Sequence, residues 1–193
     1  MSTLPDGLPG RIVVIGGCMF AGKTARLIQH LTIAAAKGRR VAAFKHELDD
    51  RYDPKRLMTH DGRAFPADAV RSADLVLRRG VAADVVGIDE AQFFGRDLIA
   101  VCRELEAAGR DVFVAGLDHD AWGQPFPPLP ELRELATHVE VLHTRCAVCG
   151  AAARFSQRTA PIVGDDMVGG AGEYEPRCED CFEPLATPAP VYV

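Results

Sequence analysis

The sequence predicts an α/β fold, a parallel sheet with helices on both faces, followed by a small second module. Three observations carry this. Apolar runs of strand length alternate with longer segments of helical spacing. The strand-like runs are apolar nearly throughout, as in strands buried on both faces. The alternation stops near residue 138. From there to Cys181 the chain is short strand-like pieces, glycines and polar residues, with no helical segment.

Residues 11–16, RIVVIG, are rich in Ile and Val and read as the first strand. Residues 23–36 place Leu27, Ile28, Leu31 and Ile33 at mixed helical spacing and stop at Lys37-Gly38. A second strand begins at Arg39 in RRVAAFKHE. The polar stretch DDRYDPKRLMTHDGR, with Pro54 and Gly62, is expected to be a long loop. DLVLRRG, from Asp74, is expected as a short helix. Residues 84–89, DVVGID, form a third buried strand. Residues 96–109, RDLIAVCRELEAAG, form an amphipathic helix closing on glycine, and residues 111–118, DVFVAGLD, a fourth strand. A boundary near residue 140 divides the chain into a flexible N-terminus over 1–10, an α/β domain over 11–140, a small domain over 141–183 and a flexible tail over 184–193. EPLATPAPVYV, at that end, holds three prolines and is expected to fray. No internal repeats are seen.

With 193 residues the chain can bury one ordinary core and carry a small appendage. A hydrophobic share of 48% with 25% charged residues is that of a soluble globular protein. The apolar runs are far too short to span a bilayer. MSTLPDGLPG has neither a basic n-region nor an apolar h-region, so no signal peptide is expected and a cytoplasmic location follows. The net charge of -5 argues against a broad nucleic-acid-binding face but leaves room for a local phosphate site.

GCMFAGKT, between the first strand and the first helix, fits G-x-x-x-x-G-K-[ST] with Gly17, Gly22, Lys23 and Thr24 in the fixed places. Glycines let the backbone curl so that its N–H groups point at phosphate oxygens, and the helix that follows adds favourable potential for an anion. The expected phosphate cradle is Gly17, Cys18, Met19, Phe20, Ala21, Gly22, Lys23 and Thr24. Lys23 reaches the outer phosphates and the Thr24 hydroxyl ligates Mg²⁺. A glycine turn with an incidental lysine is the plain alternative, and the strand–loop–helix context weighs against it. VVGIDE supplies the second metal-side acid. Asp89 ends a buried strand, where open α/β sheets bind ligands, and suits Mg²⁺ directly or through water. Glu90 is left free for another task, unless the acidic pair merely caps the strand. The fold class is thus P-loop NTPase-type.

Four of the six cysteines form two CxxC pairs, Cys146 with Cys149 and Cys178 with Cys181. They are the set for a tetrahedral structural Zn²⁺ in a small zinc-ribbon-like domain. A disulfide framework or two redox dithiols would use the same residues, but the missing export signal and the paired spacing favour metal. Four thiolates leave no open position, so the metal serves structure. Residues 150–177 exceed the usual gap between knuckles, which implies an insert, QRTAPIVGDDMVGGAGEYEPR. Cys18 and Cys102 read as buried or loop thiols without a role. His30, His46, His119, His138 and His143 have no metal-ligand spacing and read as structural or surface residues, with His60 a candidate for ordering the long loop.

Taken in order, GCMFAGKT, the D-x-R-Y of Asp49 to Tyr52, the DEAQFF of Asp89 to Phe94, the GLD ending at Asp118 with Pro125-Phe126, the paired CxxC and GEYEPRCEDC make a specific set. From about Arg11 to Phe182 the chain resembles the thymidine kinases of the cytosolic and bacterial type. The resemblance implies a P-loop domain plus a zinc-bearing domain that holds a lasso loop over the nucleoside. It implies ATP and thymidine as substrates, thymidine 5′-monophosphate as product, with deoxyuridine as an open alternative, and a homotetramer or homodimer that binds neither nucleic acid nor membrane. It makes Glu90 the catalytic base and sets Asp49 and Arg51 near the phosphates. It places Met19, Phe93, Leu117 and Phe126 around the base, Ser156 where the family commonly has Thr, and Gly169 and the lasso Tyr174 beside the nucleoside. The chain departs from the family at Ala121, where an aromatic is usual. Either Trp122 replaces that ring or the pocket is wider. Two other classes compete with a kinase: an ATPase coupled to a partner, in which Glu90 would activate water, and a zinc-only binding protein, which the presence of Lys23, Thr24 and Asp89 disfavours.

Overall fold

The computed structural model describes residues 10–49, 55–59, 61–160, 171–186 and 191. Strand β1 (Ile12–Gly16) is buried along its whole length. Its side chains alternate between two cores: Ile12 and Val14 enter one, Val13 and Ile15 the other. That is why the run needs no polar residue. Helix α1 (Lys23–Ala36) covers the second core with Leu27, Ile28, Leu31 and Ala34. Burying one such leucine is worth about 1.5–3 kcal/mol.

Strand β2 (Val41–His46) leads to the stretch expected to be a long loop. The structure corrects part of that expectation: β3 (Arg56–Met58) lies within the stretch and pairs antiparallel with β4 (Ala64–Pro66) just after it, while residues 50–54 and 60 lie outside the described residues. Leu57 is buried, and with Phe65 it packs onto the α1 side of the core. Two strands of three residues carry too little pattern to announce themselves. Next come β5 (Asp68–Val70), α2 (Ala73–Gly80) and β6 (Val85–Ile88). A 3₁₀ turn over Ala91–Phe94 precedes α3 (Asp97–Ala107), and β7 (Asp111–Ala115) follows it. Helix α4 (Leu129–Leu135) and strand β8 (His138–Val141) complete the large unit. Helices α2, α3 and α4 cover the opposite core through Val76, Leu98, Leu105, Leu129 and Leu132.

The six-stranded sheet runs β5-β2-β6-β7-β1-β8, and every pairing is parallel. Strand β1 lies between β7 and β8: Val13 faces Phe113 on one side and His138 on the other. Strand β7 separates β1 from β6, so the loops after β1 and β6 emerge on the same edge with one strand between them.

The remainder is short ribbons. Strand β9 (Thr144–Arg145) pairs with β10 (Ala152–Ala153), and β11 (Phe155–Arg158) with β12 (Tyr174–Arg177), both antiparallel. Beyond β8 the helical pieces among the described residues are single 3₁₀ turns, Ala171–Glu173 and Glu179–Cys181. No helix among the described residues is long and apolar enough to cross a membrane.

Candidate active site

The site begins where β1 ends. A Cβ on Gly16 would lie 2.2 Å from both Arg133 Nη2 and Asp118 Oδ1. Those two groups form an ion pair at 2.5 Å. Only hydrogen fits between the pair and the start of the loop. Leu142 N–H donates to Gly16 O at 2.9 Å, which fixes the strand end from the β8 side. The loop then curls through left-handed conformations at Phe20 (φ 65) and Gly22 (φ 87). Helix α1 starts with no side-chain cap and no acidic residue in its first turn. Its leading N–H groups have no intrahelical acceptor and the dipole's positive end is not offset, which suits a phosphate.

Lys23 is half-buried and folds back to donate to Cys18 O at 2.7 Å. Burial pulls its pKa down, while the nearby Glu90, Cys18, Asp89 and Asp118 act in the other direction. Met19 N–H donates to Ser156 Oγ at 2.9 Å. Of the expected cradle, the Met19 N–H is thus already paired, as is that of Ala21, which donates to Cys18 O at 3.4 Å. Cys18 is buried, its thiol pushed up by burial, with Sγ 3.8 Å from Ala153 O.

Asp89 follows β6 and is buried. The Thr24 hydroxyl donates to its Oδ2 at 2.8 Å. Burial, then the charge of Glu90, push the Asp89 carboxyl up to about 7, against the pull of the Thr24 hydrogen bond. A hydroxyl and a carboxylate oxygen in contact form a hard-oxygen donor set that fits Mg²⁺. Glu90 sits in the left-handed region, φ 53 and ψ 47, a costly place for a residue with a side chain. Gln92 holds it there. Its Nε2 donates to Glu90 Oε2 at 2.6 Å, and its Oε1 accepts Leu117 N–H at 3.2 Å. Gln92 had no role in the sequence reading. It stands inside DEAQFF, but only its contact with Leu117 on the next strand's loop reveals what it does. Asp49 is buried beside Lys45, which is almost fully enclosed: Lys45 Nζ lies 3.6 Å from the Asp49 carboxylate and donates to Asp49 O at 3.0 Å.

Of the expected nucleoside residues, Met19 and Ser156 meet directly, and Leu117 joins Glu90 through Gln92. Phe93 lies in the 3₁₀ turn with its ring 6.1 Å from that of His46. Phe126 N–H closes a turn onto Asp118 O at 3.0 Å. Tyr174 OH accepts from buried Arg158 at 3.0 Å, with the guanidinium over its ring at 5.4 Å. Arg158 was not foreseen. Arg51, His60 and Gly169 lie outside the described residues.

The four cysteines converge. All four Sγ atoms lie within 4.8 Å of one another, and Cys149 and Cys178 are 3.4 Å apart. A tetrahedron with metal–sulfur bonds of about 2.3 Å has edges of about 3.8 Å, so the spacing fits a tetrahedral dication. Burial opposes ionisation of Cys146, but backbone N–H groups at Cys149, Cys178 and Val148 hold its thiol at about 6. Bonding to Cys178 and Cys149 pushes Cys181 up to about 12. One thiolate forms readily and the last with difficulty, which a central cation would relieve.

A curled loop on a helix N-terminus, with a hydroxyl from that helix meeting a strand-end carboxylate, marks a P-loop protein of the α/β class, here joined to a module whose four clustered cysteines could hold a metal. A family model described as thymidine kinase matches residues 10–182. A thymidine kinase of Rhodothermus sp. is 44% identical over 192 residues, spanning 95% of this chain and 90% of its own. Thymidine kinases of Bacteroides thetaiotaomicron (42% over 173 residues, 90% of this chain, 87% of its own) and Coprothermobacter proteolyticus (43% over 175 residues, 88% of each chain) are similar. The chain belongs to the thymidine kinase family.

Proposed function

We propose that the protein transfers the γ-phosphate of ATP to the 5′-hydroxyl of thymidine, giving ADP and thymidine 5′-monophosphate in nucleotide salvage. The observation that carries this reading is the family match along residues 10–182. The geometry supports it, because the phosphate loop, the Thr24–Asp89 contact and the oriented Glu90 lie on one edge of the sheet.

Phosphoryl transfer gains mostly from positioning and charge stabilisation. In the proposed cycle the N–H groups of the loop and of the first turn of α1 hold the phosphates, and Lys23 exchanges Cys18 O for a phosphate oxygen. Thr24 and Asp89 would hold Mg²⁺, which when bound supplies neutralising charge at the phosphates. Glu90 accepts the 5′-hydroxyl proton as that oxygen bonds to the γ-phosphorus. The bond from the γ-phosphorus to the bridging oxygen breaks, and its electron pair leaves with ADP. Asp49 and Arg51 act on the phosphate side. Met19, Phe93, Leu117, Phe126 and Ser156 wall the base, with Gly169 and Tyr174 over the nucleoside in a lasso. The cysteines hold a structural Zn²⁺. A cytoplasmic homotetramer or homodimer, with the α/β and lasso domains meeting near residue 140, completes the proposal.

ADP release from ATP, measured with and without a nucleoside panel, tests it. Thymidine should stimulate release strongly, and deoxyuridine shows how strictly the base is read. ADP release that is the same with no nucleoside present would point to an ATPase and overturn the reading.

A further inference from the structure

Residues 182–185, just beyond the second cysteine pair, are tied to the rest of the chain. The turn from Asp118 to Phe126 is tied within itself: Asp120 Oδ1 accepts the N–H groups of Trp122 at 2.9 Å and Gln124 at 2.8 Å. Asp120 N–H donates to Gln124 O at 3.0 Å, and His119 bridges Pro125. One end of the turn is held by the Asp118–Arg133 ion pair. Further contacts reach it from distant parts of the chain.

Phe182 supplies one of them. Its ring stacks on Phe155 at 4.4 Å and 16°, and the Phe155 ring meets His119 at 4.8 Å. On the turn side, Gly123 stands at φ 77, and a Cβ there would come within 2.8 Å of Phe182 Cε1. Residue 123 is glycine both for its backbone and because the aromatic ring presses against it. Three residues beyond Phe182, Leu185 N–H reaches Ala121 O at 3.4 Å. Between them Gln157 clamps Glu183 from both sides, accepting its N–H at 2.7 Å and donating to its carbonyl at 2.8 Å. The backbone of residues 182–185 is thus fastened to β11 and laid across the turn.

We infer that Phe182 to Leu185 form a strap that sets the tilt of the 118–126 turn, and that Phe182 is a positioning residue for the nucleoside. This rests on the proposed function, in which Leu117 and Phe126 at the two ends of the turn wall the base. The strap acts through the turn and touches no reacting atom. Its loss should therefore weaken nucleoside binding in ground and transition states alike, raising KM with little change in kcat.

The test uses the full chain and its one tryptophan, Trp122, which sits on the turn. Phe182→Ala should shift Trp122 emission to the red without any nucleoside. It should raise the thymidine KM about tenfold, the size expected from losing one aromatic pair. The kcat and the ATP KM should stay within about twofold. Phe182→Tyr keeps the stacked ring and should restore both readouts. Gly123→Ala pushes on the same contact from the turn and should move both in the same direction; it carries the test if Phe182→Ala loses its metal, since residue 123 lies outside the cysteine module. An unchanged thymidine KM overturns the inference, as does a proportional change in kcat and ATP KM. If wild-type protein ignores thymidine, the function reading fails separately. The emission shift and the KM of whichever nucleoside is phosphorylated then decide the strap.

Discussion

Replacing Glu90 with Gln tests the proposed proton acceptance with little change to the residue's shape. The amide keeps an oxygen to accept the Gln92 Nε2 proton now held at 2.6 Å, so its orientation survives. The backbone at φ 53 bears a side chain of the same length, so its strain does not change. The Thr24–Asp89 contact at 2.8 Å does not involve residue 90. Removing the Glu90 charge also removes the second-largest cause, after burial, of the raised Asp89 pKa, so the metal-side carboxylate is favoured. The lost charge also withdraws one support for protonated Lys23, which Cys18, Asp89 and Asp118 still favour. The principal change left is loss of the proposed base. General-base catalysis is worth about 10²–10⁴-fold, or about 2.7–5.4 kcal/mol of transition-state stabilisation. Coupled ADP assays at saturating thymidine should show kcat falling by that factor. ATP binding, followed with a fluorescent analogue, and the thermal midpoint should stay near wild type. A kcat within tenfold of wild type would refute the base role. So would a matching loss of ATP affinity, which would mean that Glu90 organises the phosphate site instead.

Gly16→Ala drives a methyl into the Asp118–Arg133 ion pair and should destabilise the fold by about 3 kcal/mol, read by chemical denaturation. An ATP site that survives with full stability would show that the pair yields freely. Metal analysis should find one Zn²⁺ per chain, and Cys178→Ser should lower the thermal midpoint and abolish metal binding; disulfides in freshly prepared protein would overturn that assignment. If Trp122 fills the place of the usual ring, Trp122→Ala raises the thymidine KM and Ala121→Phe overpacks the site and weakens binding. A silent Trp122→Ala with a beneficial Ala121→Phe would show an open pocket instead.

Strands β1, β2, β6 and β7 were legible because they are interior strands of a sheet covered on both faces, which demands near-continuous apolar runs. Edge strands carry no such demand. In β8, HVEV, no residue is fully buried, and β5, DAV, has three residues of which one is buried, so neither shows a pattern. Helix α4, LPELREL, has seven residues and follows two prolines, too short for a periodicity to emerge. The site divides in the same way. Gly17 to Thr24, Asp89 and the cysteine pairs are readable because their chemistry depends on spacing within a few residues. Gln92, Arg133 and Arg158 are not, because each acts through a contact set by the fold: Gln92 with Leu117, Arg133 with Asp118 across Gly16, and Arg158 with Tyr174.

The cysteine module has a bearing on the phosphate site that neither motif suggests alone. Three contacts tie the loop to residues beyond β8: Leu142 N–H to Gly16 O, the Cys18 thiol to Ala153 O, and Met19 N–H to Ser156 Oγ. Cys18 is buried in one small cluster with Ala153 and the metal-site residues Cys146 and Cys178, and Ala21 packs against it. The cluster is too small to hold its shape by apolar burial alone, since it amounts to a few small side chains. The four sulfurs converge beside it, and a metal held there would brace the first half of the loop from outside. Within the loop, Cys18 O accepts from Ala21 N–H at 3.4 Å, long for an amide donor, and from Lys23 Nζ at 2.7 Å. The curvature between Gly16 and Met19 is thus supported both from within the loop and from residues beyond β8. The two motifs stand far apart in the sequence, yet these contacts join the curled loop to the ribbons that carry the four cysteines.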